Sequence, residues 1–139
     1  MIEIRDVSKI YETKKRKVIG VDAVTLTIHK GDIFGIVGYS GAGKSSLLRC
    51  INLLEKPSSG EILVDGQNLT KLSSSALRKA RLKIGMIFQH FYLINQKTIA
   101  DNIRFALKAA NYPVNRMDAR IDELLEMVGL SEKRDVFPS

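Results

Sequence analysis

The chain has 139 residues, enough for one domain, and 45% of them are hydrophobic, as is usual for a globular protein. Its net charge of +7 admits nucleic acid or an anionic membrane surface as a partner, although such an excess is more often spread over solvated faces. The single cysteine excludes an intramolecular disulfide and no apolar run approaches about 18 residues, so we expect a reducing compartment, no secretion and no membrane span.

Two alternating apolar patterns predict antiparallel strands near the N-terminus. Ile2, Ile4 and Val7 form the first pattern, and the stretch 24–28 alternates strictly as Val-Thr-Leu-Thr-Ile. Between them lies the basic run 14–17, which contains no aromatic residue and suits an exposed hairpin tip. We therefore expect a hairpin with one buried face.

The stretch 33–51 combines an apolar run, a glycine-rich loop and a helical pattern. The run 33–37 is too short for a helix and predicts a buried parallel strand. The loop 38–45 reads Gly-Tyr-Ser-Gly-Ala-Gly-Lys-Ser and matches G-x-x-x-x-G-K-[ST], the phosphate-binding P-loop. The apolar residues that recur at helical spacing after it are Leu47, Leu48, Ile51 and Leu54. A strand, a glycine-rich loop and a helix in this order are the setting in which the motif binds nucleotide.

Each residue type of the loop suits a phosphate ligand. Glycines 38, 41 and 43 allow backbone conformations closed to other residues, which turn successive amides toward an anion at a helix N-terminus. Lys44 would reach the β- and γ-phosphates as a point charge, and the Ser45 hydroxyl would bind Mg²⁺. We therefore predict MgATP binding, with loop contacts from Gly38, Tyr39, Ser40, Gly41, Ala42, Gly43, Lys44, Ser45 and Ser46.

Beyond the P-loop helix the chain alternates turns, helices and one more apolar run. Asp65-Gly66 suits a type I′ hairpin turn, and Ser73 suits the N-cap of a basic helix over 73–83. The run 84–88 predicts a second buried strand.

Two apolar helical stripes follow. Thr98 and Asp101 fit a capping box for the first helix, and Gly129 fits the C′ position of the second. The stripes comprise Ile99, Ile103, Ala106, Leu107 and Ala110, and then Met117, Ile121, Leu124, Leu125 and Val128. We interpret both as packing faces, and Cys50 as a small buried thiol.

The sequence resembles the ATP-binding subunits of ABC transporters, and within that family the methionine-importer subunits. The blocks most similar to theirs are IVGYSGAGKSSLLRCINLLEKPSSGEILVDGQ and LRKARLKIGMIFQHFYL. The resemblance covers the whole chain and implies an α/β P-loop NTPase fold of the ABC-ATPase type. Residues 1–89 would hold the antiparallel strands and a P-loop strand–helix core, and 90–139 the first part of a helical subdomain. The implied activity is ATP hydrolysis coupled to methionine uptake.

Two further site residues come from the resemblance alone. Tyr11 falls where the family has an aromatic side chain that stacks on adenine, and stacking needs the ring rather than the hydroxyl. Gln89 falls on the Q-loop glutamine, which contacts Mg²⁺ and the attacking water, so it is the expected catalytic residue and, with Ser45, a metal ligand. Without the resemblance, Tyr11 would be interpreted as a packing residue and Gln89 would indicate little.

The resemblance also implies partners and a location. The segment 90–102 lies where the family docks the coupling helix of the transmembrane permease, and a second ATPase subunit and, indirectly, a substrate-binding protein complete the importer. The subunit would lie in the cytoplasm, on the inner face of the cell membrane through the permease. No nucleic-acid partner is expected.

The family continues after a Phe-Pro-Ser-like segment into an LSGGQ signature, a strand with an Mg²⁺-binding aspartate and a catalytic glutamate, and a switch histidine. This sequence reaches only residues 137–139, Phe-Pro-Ser, so we expect a partial ATP-binding domain that does not hydrolyse ATP alone. Two alternatives stay open: a non-catalytic nucleotide-binding module, and a soluble ABC-type ATPase acting on nucleic acid. The second would be marked by coiled-coil heptads or paired cysteines, which the sequence lacks.

Overall fold

The computed structural model describes residues 1–88 and 92–138. Tertiary contacts divide the chain into two compact units, Met1–Ile84 and Gly85–Ser139. The first unit contains the strands β1 (Ile2–Glu12), β2 (Lys17–Ile28), β3 (Ser59–Val64) and β4 (Gln67–Asn68) and the helices α1 (Lys44–Ile51) and α2 (Ser74–Arg81). The second contains the helices α3 (Ile99–Ala109) and α4 (Met117–Met127). Short 3₁₀ turns lie at Leu69–Lys71, Val114–Arg116 and Ser131–Lys133.

The four strands form one antiparallel sheet in the order β2-β1-β3-β4. β1 and β2 are the predicted hairpin, with the basic run 14–17 at its turn. β3 and β4 are joined by the predicted type I′ turn, since both Asp65 (φ 47°) and Gly66 (φ 78°) are left-handed. Both hairpin predictions are confirmed. The pairing of β1 with β3 is not visible in the sequence pattern, because it joins residues as far apart in the chain as Ile2 and Val64.

A bulge in β1 explains its irregular apolar pattern. Asp6 has φ 51°, and its amide donates to Thr25 Oγ1 at 2.9 Å while the β1–β2 register shifts beyond Ile4. The shift turns Val7 to the same side as Ile4, so both are buried in the core. Gly60 lies against this bulge, where a Cβ would come within 2.2 Å of the Asp6 carbonyl oxygen.

Helix α1 contributes the other side of this core. Its buried residues, Leu47, Cys50 and Ile51, belong to one cluster with β1 and β3 residues. Leu48 and Leu54, which the sequence pattern placed in the same stripe, are exposed. The helix ends at Ile51, so Leu54 is not helical, and the i, i+3, i+4 face that meets the sheet excludes Leu48.

Helix α2 begins as predicted, with the Ser73 hydroxyl accepting a hydrogen bond from the Ala76 amide at 3.3 Å. It ends at Arg81, two residues before the predicted end. The Arg81 guanidinium donates to the carbonyl of Asn52 at 2.9 Å and to that of Leu53. These carbonyls lie just beyond α1, so Arg81 ties α2 to the end of the P-loop helix.

The predicted apolar strands 33–37 and 84–88 are not strands of the sheet. Ile33, Val37 and Ile87 are 104%, 95% and 100% exposed, and neither segment takes part in a described strand pairing. A buried parallel strand needs neighbours that satisfy its amides and carbonyls. Residues 1–88 and 92–138 supply no such neighbour, so the prediction of a buried strand is wrong at both places.

We expect these exposed segments to make the isolated chain self-associate and unfold without a sharp transition. Unpaired apolar edges promote association, so Ile33→Thr combined with Val37→Thr should lower the associated fraction. Val114→Thr, at another exposed position, is the matched control and should change nothing. Sedimentation velocity over a concentration series and thermal melting by circular dichroism measure both effects. A wild-type monomer with one cooperative transition contradicts this expectation.

The second unit is held together by contacts between α3 and α4. Its buried residues are Ala100, Ile121 and Leu125, against which Ile99, Ile103 and Leu107 pack. The predicted stripes are thus correct at their centres, whereas Ala106, Ala110 and Val128 are exposed. Val128 lies beyond the last helical residue, which removes it from the packing face.

The predicted caps of these helices are largely confirmed. The Thr98 hydroxyl accepts from the Asp101 amide at 3.2 Å, although the Asp101 carboxylate pairs with Arg104 instead of closing a capping box. Gly129 has φ 69°, and the amides of residues 129 and 130 donate to the carbonyls of residues 126 and 125. This is a Schellman motif, which explains the glycine at C′. No helix in the described ranges is both long and apolar enough to cross a membrane.

Candidate functional site

The glycine-rich loop enters α1 through two left-handed glycines. Gly41 has φ 81° and Gly43, at the N-cap position, has φ 85°. A Cβ on Gly43 would lie 1.8 Å from the carbonyl oxygen of Gly20 in β2, so only glycine allows the loop to approach the sheet this closely. Gly38 has no positive φ, but a Cβ there would lie 3.3 Å from the Ala42 methyl group. Steric crowding rather than a left-handed conformation therefore favours glycine at position 38.

The first turn of α1 presents amides suited to an anion. The first hydrogen bond of the helix runs from the Leu47 amide to the Gly43 carbonyl at 2.9 Å, which leaves the amides of residues 44–46 ahead of the ladder. Neither an acidic residue nor a side-chain cap is found in this turn. The helix dipole adds partial positive charge at the same end.

Lys44 lies across the loop. Its ammonium donates to the carbonyls of Gly38 at 2.7 Å and Tyr39 at 2.8 Å, which places the positive charge beside the amides of the first turn. Ser45 follows on the exposed side of α1. The loop thus offers a cation, free amides and an accessible hydroxyl within one turn, the donor set that a polyphosphate with Mg²⁺ requires.

Tyr11 reaches this helix from the end of β1. Its hydroxyl is hydrogen-bonded to the Glu55 carboxylate and lies 3.0 Å from Ser46 Oγ. A phenol has one proton and a carboxylate can only accept, so Tyr11 donates to Glu55 and Ser46 donates to Tyr11. Gly20 makes room for the ring, since a Cβ there would lie 2.6 Å from Tyr11 Cε2. The fold therefore brings the predicted base-stacking residue and the P-loop helix together.

The charges around Tyr11 are complementary. The hydrogen bond from Tyr11, helped by the Arg49 guanidinium 3.2 Å away, lowers the pKa of Glu55 despite its partial burial. Burial raises the pKa of Tyr11, and the Glu55 carboxylate raises it further. The Lys9 ammonium lies 5.1 Å from the centroid of the Tyr11 ring. At neutral pH the pair is consequently a protonated phenol on an ionised carboxylate.

A cavity of about 250 Å³ beside the loop overlaps part of the predicted nucleotide site. Its walls are mostly apolar and include Ile36 and Val37 together with Gly43 and Lys44 of the loop. Tyr11, Ser45 and Ser46 do not line it. Its Lys44 side carries a charge that suits phosphate, and the remainder is space beside the unpaired segment 33–37.

Two other predicted site features lie wholly or partly outside the described residues. Gln89 and the first two residues of the segment 90–102 lie outside the described residues. From Tyr92 onward the segment is described, and Tyr92 and Leu93 are exposed. Asn102 orders the turn before α3, with its amide group donating to the carbonyls of residues 94, 97 and 98 and its oxygen accepting from the amide of residue 94.

Sequence reasoning missed Glu55, Gly20 and Asn102. Glu55 lies 44 residues from Tyr11, and no spacing rule joins a strand end to the loop after a helix. Gly20 resembles an ordinary strand glycine until the Tyr11 ring is placed against it. An asparagine soon after a helix N-cap gives a weak signal for a turn contact, but many partners would satisfy it.

Helix α1, the glycine-rich loop and the antiparallel sheet together define an α/β P-loop protein. Residues 21–139 match the family model described as ABC transporter, and the chain belongs to the ABC transporter family. Both the predicted family and the predicted fold class are confirmed.

Curated relatives align with the whole chain. It is 66% identical over 139 residues to the methionine import ATP-binding protein MetN 2 of Shouchella clausii and 55% identical to MetN 1 of Oceanobacillus iheyensis. It is 48% identical to MetN of Haemophilus ducreyi. In each case 100% of this chain is covered, against 41%, 41% and 40% of the relative. The chain thus spans about two fifths of the length of these relatives.

Solved structures give the same fold. A dimeric ATP-binding cassette in a post-hydrolysis state, bound to ADP and Pi, superposes with a TM-score of 0.92 at 31% identity, covering 99% of this chain and 62% of that one. A second dimeric structure, of a bacterial ABC transporter cassette, gives a TM-score of 0.89 at 32% identity, covering 97% and 60%. These likenesses establish the ABC-ATPase fold for the part of the cassette that the chain spans.

Proposed function

We propose that this chain binds MgATP through residues 38–46 and forms part of the ATP-binding subunit of an ABC importer that takes up methionine. The observation that supports ATP binding is the loop, in which the Lys44 ammonium, three free amides and the Ser45 hydroxyl converge at the start of α1. Identity of up to 66% with methionine import proteins supports the substrate. Calorimetric titration with MgATP tests the proposal: one saturable site per chain is expected, and no binding heat together with no competition against a fluorescent ATP analogue contradicts it.

In this proposal each part of the nucleotide has its own protein contact. The β- and γ-phosphates lie on the amides of residues 44–46 and beside Lys44, and the adenine stacks on the Tyr11 ring. Ser45, and Gln89 beyond the described residues, bind Mg²⁺. Within residues 1–88 and 92–138 no group of three or more acidic, histidine or cysteine side chains could hold a metal. That fits Mg²⁺ held largely by phosphate oxygens and water, as is usual at nucleotide sites.

The proposed partners are a transmembrane permease and a second ATPase subunit. The exposed Tyr92 and Leu93, followed by the turn that Asn102 orders, offer an apolar, preformed surface for the permease. The dimeric state of both solved cassettes supports pairing with a second ATPase subunit. Docking would place the subunit on the cytoplasmic face of the membrane, with a substrate-binding protein acting indirectly through the permease.

Four carboxylates in the described part of the chain form ion pairs away from the glycine-rich loop. Asp65 pairs with the N-terminal ammonium in a hairpin turn. Asp101, Asp122 and Glu123 pair with arginines within the α3–α4 unit. Asp65 follows β3, whose neighbours in the sheet are β1 and β4, and the other three lie in helices α3 and α4. Phosphoryl transfer to water needs a group that orients the water in line, and none of these four is placed at the glycine-rich loop to do so. This observation favours, for these 139 residues by themselves, the second candidate: a nucleotide-binding module without catalysis.

We expect the purified chain to release phosphate far more slowly than about 1 s⁻¹, the lower end of ordinary enzyme turnover. Steady-state phosphate release with MgATP is the measurement. Lys44→Ala serves as the control for contaminating ATPases, whose activity it cannot affect. Release near 1 s⁻¹ that disappears in Lys44→Ala would show that the chain contains a complete catalytic site.

A further inference from the structure

We propose that Glu55 is a positioning residue that holds the Tyr11 ring at the start of α1, in the orientation that stacks on the base of a bound nucleotide. The inference rests on the proposed function, because the orientation of the ring matters only if a base lies on it. Glu55 would act through Tyr11 and touch neither phosphate nor base.

The hydrogen bonds of the Tyr11 hydroxyl support this role. One is to the Glu55 carboxylate and the other joins it to Ser46 Oγ at 3.0 Å, so both partners of the phenol come from α1 or the loop after it. Glu55 is itself fixed twice to Arg49, through its carboxylate at 3.2 Å and through its amide, which donates to the Arg49 carbonyl at 3.0 Å. A fixed carboxylate therefore determines where the phenol oxygen lies relative to the P-loop helix.

The surroundings of the ring also fit a positioned side chain. Gly20 lies against one edge of the ring, and the Lys9 ammonium, itself bonded to the Lys56 carbonyl at 2.9 Å, lies 5.1 Å from the centroid. Tyr11 is only half-buried and is not a member of the hydrophobic core clusters. Packing therefore does not by itself fix the ring, and the hydrogen bonds of its hydroxyl restrict it instead.

Pre-ordering of this kind changes the affinity for the base and does not change the affinity for the phosphates. A side chain that must be ordered during binding lowers affinity by about 2- to 10-fold. The amides of residues 44–46 and Lys44 do not contact Glu55 in the described hydrogen-bond network, so triphosphate binding is expected to be independent of it. The ratio of ATP affinity to inorganic tripolyphosphate affinity thus reports on the ring.

The experiment measures dissociation constants of MgATP and of magnesium tripolyphosphate for the wild type, Glu55→Ala, Glu55→Gln and Tyr11→Phe. Stacking alone would leave MgATP binding by Tyr11→Phe unchanged, because the ring is kept. If the hydroxyl positions the ring, Glu55→Ala and Tyr11→Phe should both weaken MgATP binding by about 2- to 10-fold with tripolyphosphate unchanged. Glu55→Gln keeps an acceptor for the phenol and should recover most of the loss. Glu61→Ala removes a half-buried glutamate paired with Lys71 and is the matched control, with no change expected.

A double variant, Glu55→Ala with Tyr11→Phe, should bind MgATP no more weakly than the weaker single variant, because both changes remove the same contact. Circular dichroism confirms that each variant is folded. The role of Glu55 would be overturned if the affinity losses of the two single variants added in the double variant. It would also be overturned if Glu55→Ala left the ratio of ATP affinity to tripolyphosphate affinity unchanged. A wild type that binds neither ligand overturns the proposed function itself. A wild type that binds both ligands equally shows that the base does not stack on Tyr11, which also overturns the role of Glu55.

Discussion

Replacing Lys44 by alanine is expected to weaken MgATP binding by about 10- to 100-fold. Hydrogen bonds to charged groups contribute about 1.5–3 kcal/mol, and about 1.4 kcal/mol corresponds to a tenfold change in affinity. In the structure the ammonium lies on the carbonyls of Gly38 and Tyr39, beside the amides proposed to bind phosphate. Its removal takes away the one point charge of the loop and the tether that spans the loop.

Calorimetry with MgATP measures the effect, with Lys79→Ala as the matched control. Lys79 is an exposed lysine on α2, so its removal changes the net charge equally without touching the loop. Circular dichroism excludes unfolding as the cause. If Lys44→Ala binds MgATP as tightly as the wild type, the nucleotide does not use this loop.

Gly43→Ala is expected to abolish MgATP binding and to destabilise the Met1–Ile84 unit. The new methyl group would lie 1.8 Å from the Gly20 carbonyl oxygen, and its φ of 85° is unfavourable for alanine by about 1–2 kcal/mol before the clash is counted. The loop and β2 must then separate. Because Gly20 also lies against the Tyr11 ring, the displacement would reach both ends of the proposed nucleotide site.

Gly31→Ala is the control that separates strain from collision. Gly31 has φ 93° but open space around its Cβ position, so alanine there incurs only the backbone term and should leave MgATP affinity unchanged. Urea unfolding and MgATP titration of both variants give the comparison. Equal effects of the two substitutions would mean that the close approach of the loop to β2 affects neither stability nor MgATP affinity.

The features that could be predicted from sequence are those whose physics is local. The P-loop, the type I′ turn at Asp65-Gly66 and the caps at Ser73 and Thr98 each depend on residues within a few positions of one another. The residue types alone indicate where a left-handed turn lies and where a side chain accepts a hydrogen bond from a helix amide. The base-stacking role of Tyr11 came from family resemblance and remains a prediction.

The features that could not be predicted depend on neighbours distant in sequence. An apolar run such as 33–37 becomes a strand only where other strands supply its hydrogen bonds, and none of the described residues does so. The contact of Tyr11 with Glu55 requires β1, α1 and the loop after α1 to be in place first. The bulge at Asp6, which brings Val7 into the core, likewise depends on the partner strand.

Residue-resolved nuclear magnetic resonance of the chain during titration with MgATP shows whether ATP binds at the P-loop. We expect the amide signals of Gly41, Gly43, Lys44 and Ser45 to shift and saturate together with the ring signals of Tyr11. Amides of helices α3 and α4, which contain no proposed nucleotide contact, serve as the internal reference and should not move. Saturating MgATP that leaves the loop amides unchanged, or that shifts signals only in helices α3 and α4, would contradict ATP binding at this loop.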